Sequence, residues 1–210
     1  MQLVIISDTH CNQFELPEGD VLIHCGDHTF NGNKRETWEA LNWLNNQSHK
    51  HKLFIAGNHE VGWEREYNQN AGRIWMIEEF TNLTYLHNTG VEIEGKYFWG
   101  SPVQPYFYDW AFQKMRGREL KEHWKLIPDN TDVLITHGPP YGFGDTNTHD
   151  NRFGDKDLLA RVLEVRPTIH CYGHAHDGYG QWLFENTLFI NAASLNEEYH
   201  VQNAPVVVEI

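Results

Sequence analysis

The chain opens Met1-Gln2-Leu3-Val4-Ile5-Ile6-Ser7-Asp8-Thr9-His10. Four apolar residues in a row stop one position short of a carboxylate, with an imidazole two places further on. A short apolar run of this kind reads as a buried strand. The arrangement recurs along the chain. Val21 to Ile23 leads into Gly26-Asp27, Leu53 to Ile55 into Gly57-Asn58-His59-Glu60, and Val133 to Ile135 into Thr136-His137-Gly138. Gly173-His174-Ala175-His176 follows, trailed by Gly178-Tyr179-Gly180. A packed core gives no reason for metal-binding residue types to recur just after strand after strand. A site at the strand ends does.

Between these points the pattern alternates. Leu3 to Ile6, Val21 to His24 and Leu53 to Ala56 read as strands, with a helix over Asn33 to Gln47 whose apolar stripe is Trp38, Leu41 and Leu44, flanked by Trp43. Short strands are expected near Thr84 to Leu86, Val91 to Ile93 and Tyr97 to Trp99, the last two joined at Gly95. Arg116 to Leu126 reads as a helix and Asp132 to Thr136 as a strand. Asp155 caps a helix over Lys156 to Glu164, ended by Pro167. Thr168 to Tyr172, Trp182 to Glu185, Leu188 to Asn191 and Pro205 to Ile210 complete the strands, with a tight turn at Asn186-Thr187. Mixed strands with helices outside predict an α/β fold, a four-layer αββα sandwich of two mixed sheets with the site at the strand ends. The 210 residues suit one domain, 1–210. The stretch 138–154 carries glycines at 138, 142, 144 and 154, two prolines and no apolar period. Loops this long in compact domains are usually functional or disordered, and this one starts at His137.

Bulk properties narrow the function. A formal net charge of -13 opposes binding of a long polyanion. Nucleic acid is therefore disfavoured, and a small phosphorylated substrate is easier to accommodate. No apolar run approaches the ~18 residues of a membrane span, and the first residues lack a basic leader; no membrane partner and a cytoplasmic protein are expected. Three cysteines, Cys11, Cys25 and Cys171, give no disulfide framework and read as small buried fillers.

The motif residues carry a specific chemistry. Asp8 and His10, two apart at a strand end, can aim at one ion. The two oxygens of Asp27 can bridge two cations. Asn58 offers an amide oxygen, and His137, His174 and His176 offer imidazoles. Mixed nitrogen and oxygen donors suit two divalent ions of Mn, Fe or Zn, with Mn the expected in vitro activator, about 3.5–4 Å apart. Such a pair would lower the pKa of a shared water from about 15.7 towards 7, and the hydroxide would attack phosphorus in line. His59, beside Asn58, is the natural general acid or electrostatic stabiliser.

These residues resemble the metallophosphoesterase (calcineurin-like) superfamily, whose pattern is D-x-H, G-D, G-N-H-D/E, H and G-H-x-H. The resemblance implies one ion held by Asp8, His10, Asp27 and His176, a second held by Asp27, Asn58, His137 and His174, and His59 as the catalytic histidine. The chain is still more similar to the small MPPED-like phosphodiesterase subgroup. That likeness rests on Gly100-Ser101-Pro102, Trp110-Ala111-Phe112, Thr136-His137-Gly138-Pro139-Pro140, Gly173-His174 through Gly178-Tyr179-Gly180, Asn191-Ala192-Ala193-Ser194 and the Asn203 to Ile210 ending. Glu60 replaces the commoner Asp, His28 stands where an aromatic such as Phe is expected, and Gly144 to Arg152 follows no family pattern. Substrate choice is expected to lie in these departures.

His28, Tyr141, Phe143 and Arg152 are accordingly the expected substrate contacts. Arg152 could pair with phosphate; Tyr106, Phe107, Tyr108, Trp110, Tyr141 and Phe143 could stack on a base. Glu60 and Asp145 are expected to support ligand imidazoles. The function expected is a dinuclear metal-dependent phosphodiesterase acting on small esters such as cyclic nucleotides. The alternatives are a phosphomonoesterase on nucleotides or phosphoproteins, and a nucleotide-binding protein with little turnover.

Overall fold

The structure, a computed structural model, describes residues 1–147, 149 and 151–210. Thr148 and Asp150, within the unusual 144–152 stretch, lie outside the described residues. The described residues form thirteen strands: β1 Gln2–Ile6, β2 Val21–His24, β3 His51–Phe54, β4 Thr84–Tyr85, β5 Thr89–Ile93, β6 Lys96–Ser101, β7 Gln104–Pro105, β8 Gln113–Lys114, β9 Val133–Thr136, β10 Ile169–Tyr172, β11 Gly180–Phe184, β12 Thr187–Asn191 and β13 Val206–Glu209. The helices are α1 Lys34–Asn45, α2 Val61–Gln69, α3 Arg118–Trp124 and α4 Lys156–Val165.

One large sheet has the order β13-β1-β2-β3-β4, the other β11-β12-β10-β9-β6-β5, and β7 and β8 pair apart from both. β1 to β4 run parallel, with β13 antiparallel on β1. β12, β10, β9 and β6 are parallel, bordered by antiparallel β11 and β5. Successive strand residues face opposite sides, so the central strands of each sheet serve two cores. Leu3, Ile5, Val21, Ile23 and Leu53 of the first sheet meet Phe98, Val133, Ile135, Ile169 and Ile190 of the second in one central cluster. The intervening Val4, Ile6, Leu22 and Phe54 pack outward against Leu41 and Leu44 of α1 and Trp63 of α2. Trp99, Leu134, Tyr172 and Phe189 pack on Leu120 and Trp124 of α3 and Leu158 and Val162 of α4. The expected four-layer αββα arrangement is what these clusters form.

Local departures have physical causes. The buried stripe of α1 is Thr37, Ala40, Leu41 and Leu44, so Trp38, one residue off it, is 49% exposed rather than apolar core. α2 was not expected from the sequence: it has no side-chain cap and buries only Trp63. It is held instead by the Trp63 Nε1–H donating to Thr37 Oγ1 at 2.7 Å. Phe184 pairs with Thr187, so the β11–β12 turn is Glu185-Asn186, one residue earlier than expected, with Glu185 at φ 51°. Cys25 and Cys171 are buried in the central cluster, whereas Cys11 is only half-buried.

Candidate metal centre

The parallel strands of both sheets aim their C-terminal ends at one place. The loops that carry the expected ligands and His59 leave there, after β1, β2, β3, β9 and β10. The two sheets are stitched across it. Gly173 N–H donates to His137 O at 3.0 Å within one, Asp8 N–H to Gly26 O at 3.0 Å within the other, and Ser194 N–H to Ser7 O at 2.9 Å between them. Asp8, His10, Asp27 and His174 all take left-handed backbone, at φ 53°, 40°, 57° and 68°. Such residues cost on the order of 1–3 kcal/mol each and persist only where surroundings fix them. Here the fixing bonds are visible, since His10 N–H also donates to Asp27 O at 3.1 Å. Two glycines complete the cradle. A Cβ at Gly57 would overlap the Asp27 carboxylate, and one at Gly173 would overlap that of Asp8.

Four imidazoles are oriented in the same way, each by a backbone carbonyl. His10 Nδ1 donates to Thr29 O at 3.0 Å, His59 Nδ1 to Phe30 O at 2.8 Å, His137 Nδ1 to Cys25 O at 2.9 Å and His176 Nδ1 to Asn196 O at 2.9 Å. A carbonyl can only accept, so the proton is assigned to Nδ1 and Nε2 is turned into the site. His137 Nε2 lies 2.9 Å from Asn58 Oδ1 and 3.2 Å from Asp27 Oδ2. His10 Nε2 is 3.9 Å from Asp27 Oδ2, and His176 Nε2 is 3.5 Å from Asp8 Oδ1. The Asp8 carboxylate also accepts the His174 N–H at 2.9 Å, and Asp27 Oδ1 accepts the His59 N–H at 2.8 Å.

The electrostatics match. Burial pushes the carboxyl groups of Asp8 and Asp27 up, but His176 beside Asp8 and His137 beside Asp27 outweigh it and hold both below the usual carboxylate range. Burial opposes a charge on His137, yet Asp27 and Asp8 raise its pKa to about 9. His176 is likewise penalised by burial but raised by Asp8 to about 9. His174 is lowered to about 4 by burial and by the neighbouring His137.

These residues fit divalent cations. Ligand atoms of Asp8, His10 and His176 lie within 4.8 Å of one another, as do those of Asp27, His137 and His174, and of His10, Asp27 and His59. His10 Nε2 is wholly buried without a hydrogen-bond partner, a lone pair awaiting an electrophile. All eight residues expected as ligands or acid, Asp8, His10, Asp27, Asn58, His59, His137, His174 and His176, are brought together.

A cleft of ≈ 280 Å³ opens over this centre, lined by Asp27, Asn58, His59, His174 and His176 with Phe107, Trp110, Phe153, Glu197 and Tyr199. Trp110 packs on His59 at 4.3 Å, and Tyr199 meets His10 edge-on at 4.9 Å. The expected substrate contacts fall elsewhere. His28 is 1% exposed behind the loops, because its ring is stacked between His24 and Trp63 with Nδ1 turned to Glu60 rather than to the cleft. Phe143 stacks on Phe189 at 4.1 Å in the outer core. Tyr141 and Arg152 line a second cleft, where Asp145 holds Arg152 at 2.6 Å. Glu60 and Asp145 touch no ligand imidazole: Glu60 binds backbone N–H groups and Asp145 binds Arg152. Phe153, Glu197 and Tyr199 went unnoticed in the sequence. Phe153 follows a stretch without pattern, and Glu197 and Tyr199 lie on the turn between the Asn191 to Ser194 and Asn203 to Ile210 stretches, outside both. In the structure a bridge between Leu195 and Val201 returns this turn to the site.

Parallel strand ends converging on carboxylates and imidazoles, beneath a small open cleft, define a metal-dependent phosphoester hydrolase. The chain belongs to the calcineurin-like phosphoesterase family, whose model matches residues 1–178. It is 40% identical to a UPF0046 protein of Caenorhabditis elegans, over all of this chain and 75% of that one. It is 36% identical to human metallophosphoesterase domain-containing protein 1, over all of this chain and 71% of that one. Among solved structures, TT1561 of Thermus thermophilus superposes with a TM-score of 0.61 at 13% identity, covering 90% of this chain and 88% of its own, a likeness of fold. Among the described residues no helix is long and apolar enough to cross a membrane.

Proposed function

We propose that this protein is a dinuclear phosphodiesterase acting on small monoanionic phosphoesters, cyclic nucleotides or related diesters among them. The observation that carries the reading is the sharing of Asp27 between the donor group of His10 and that of His137 and His174. A carboxylate placed between two donor sets suits two adjacent cations, one with Asp8, His10 and His176, the other with Asn58, His137 and His174. Divalent cations held there, Mn²⁺, Fe or Zn²⁺, would offset phosphoryl charge and acidify water at neutral pH.

The chain's own residues supply the rest. The Thr29, Cys25 and Asn196 carbonyls keep the imidazole Nε2 atoms of His10, His137 and His176 turned inward. His59, anchored at Nδ1 and packed by Trp110, presents Nε2 to the cleft, where it can hand a proton to the departing alkoxide. Diester preference is supported by the lining: no Lys or Arg borders this cleft among the described residues, while Glu197 does. A monoester dianion has no Lys or Arg to meet there, whereas a diester carries one charge less. The -13 charge supports a small substrate over nucleic acid, and a cytoplasmic, single-domain protein is consistent with this use.

Purified protein with Mn²⁺ is expected to cleave an aryl phosphodiester at least tenfold faster than the matching monoester. His59→Ala should lower kcat by roughly 10²–10⁴-fold, the usual worth of a general acid. A monoester preference would overturn the diesterase reading, and full activity in His59→Ala would overturn the role of that histidine.

A further inference from the structure

Glu60 is wholly buried and immediately follows the proposed acid His59. Its carboxylate is the meeting point of the loops that carry the metal centre. Oε2 accepts the Asp27 N–H at 3.1 Å and the Gly57 N–H at 2.6 Å; Oε1 accepts the Thr29 N–H at 3.0 Å and the Thr29 hydroxyl at 2.8 Å. Asp27 is itself a ligand. Gly57 precedes Asn58. Thr29 turns its carbonyl to His10 Nδ1. One carboxylate therefore reaches three ligands, Asp27, Asn58 and His10, without touching any of their side chains.

His28 stands behind it. Its Nδ1 lies 3.3 Å from Glu60 Oε1, close enough for electrostatic attraction though not aligned as a hydrogen bond, and its Nε2 is buried without a partner. A phenyl ring would stack equally well between His24 and Trp63 and would orphan no nitrogen. The imidazole is thus accounted for by its contact with Glu60.

We propose that Glu60 is a positioning residue of the metal centre, with His28 fixing its carboxylate, so that the backbone amides on either side of Asp27 and before Asn58 are held in one register. The inference needs the metal-site reading but not the choice of substrate.

The full-length protein tests it through Mn²⁺ affinity by titration calorimetry, alongside thermal midpoint and the kcat and KM for an aryl phosphodiester. In Glu60→Gln an amide N–H₂ faces backbone donors, and Mn²⁺ affinity should fall 10–100-fold, with kcat falling while KM holds. Glu60→Asp, keeping the charge, should recover part of the affinity. His28→Phe should weaken Mn²⁺ binding about tenfold, and His28→Asn, whose amide nitrogen sits where Nδ1 sits, should restore it. A folded Glu60→Gln that binds Mn²⁺ within threefold of the parent overturns the proposal, whatever its melting temperature. Should Glu60→Gln not fold, equal affinities in His28→Phe and the parent overturn it instead. Because Mn²⁺ binding is read directly, failure of the diesterase reading leaves this result distinguishable.

Discussion

At the scale of single residues, the centre is prepared by protons as much as by ligands. In the metal-free protein His137 and His176 are each raised to about 9, against burial, by Asp27 and Asp8. Both therefore carry the extra proton at pH 7, on the Nε2 side that faces the carboxylates. An incoming cation must take that place, so binding releases protons and strengthens as pH rises. Mn²⁺ uptake at pH 7 is expected to release about two protons, with affinity climbing towards pH 9 and then levelling. Calorimetry in two buffers of different ionisation heat counts them, and a count of zero contradicts the assignment. The residues proposed as ligands were legible in the sequence because aspartate, asparagine and histidine after apolar runs are chemically conspicuous. Their orientation was not. It rests on the carbonyls of Cys25, Thr29, Phe30 and Asn196, and a carbonyl has no side-chain signature. His28 was misread for the related reason that a departure from pattern next to a ligand says nothing about which way the ring turns.

Among the elements, α4 shows how the long loop after His137 is secured. Asp155 caps the helix, its Oδ1 accepting the Leu158 N–H at 2.6 Å and the buried Trp124 Nε1–H at 3.0 Å, which ties α4 to α3. Its backbone also pairs with the start of the loop: Asp155 N–H donates to Pro139 O and Tyr141 N–H to Asp155 O, each at 3.0 Å. Asp155→Ala would remove a cap worth about 0.5–2 kcal/mol and leave an indole N–H unsatisfied at about 1–3 kcal/mol. A loss of about 2–4 kcal/mol is expected, read as a melting temperature lower by roughly 4–16 °C for a chain of this size; Asp155→Asn should lose less. A drop under 2 °C would show that the cap is dispensable. The cap was legible because Asp before an amphipathic run has a local cause. α2 was not: its only buried side chain, Trp63, finds Thr37 from a different helix, and no local pattern encodes that meeting.

For the molecule as a whole, the four layers followed from apolar runs alternating with helical stripes, but the balance of buried titrating groups emerges only once the layers are packed. His170 is lowered to about 3, and His87 and His123 to about 4, each chiefly by burial. A histidine lowered in the fold binds its proton more readily when unfolded. These groups therefore contribute stability that is present above about pH 6.5 and is lost as pH falls towards 4. His137 and His176, raised to about 9, act in the opposite sense: their contribution is full below about pH 6.5 and disappears as pH rises through 9. Two opposed slopes meet between, so the metal-free protein should be most stable near pH 6.5, weakening towards pH 4.5 and towards pH 9. Cations bound by His137 and His176 replace the alkaline arm, since the deprotonated rings are then the ones held. Urea unfolding from pH 4.5 to 9, with chelator and with Mn²⁺, should give a maximum near 6.5 in chelator and a plateau extending to 9 with metal. A chelated protein whose stability keeps rising between pH 7 and 9 would remove the charge pairs at Asp8 and Asp27 as the source of this behaviour.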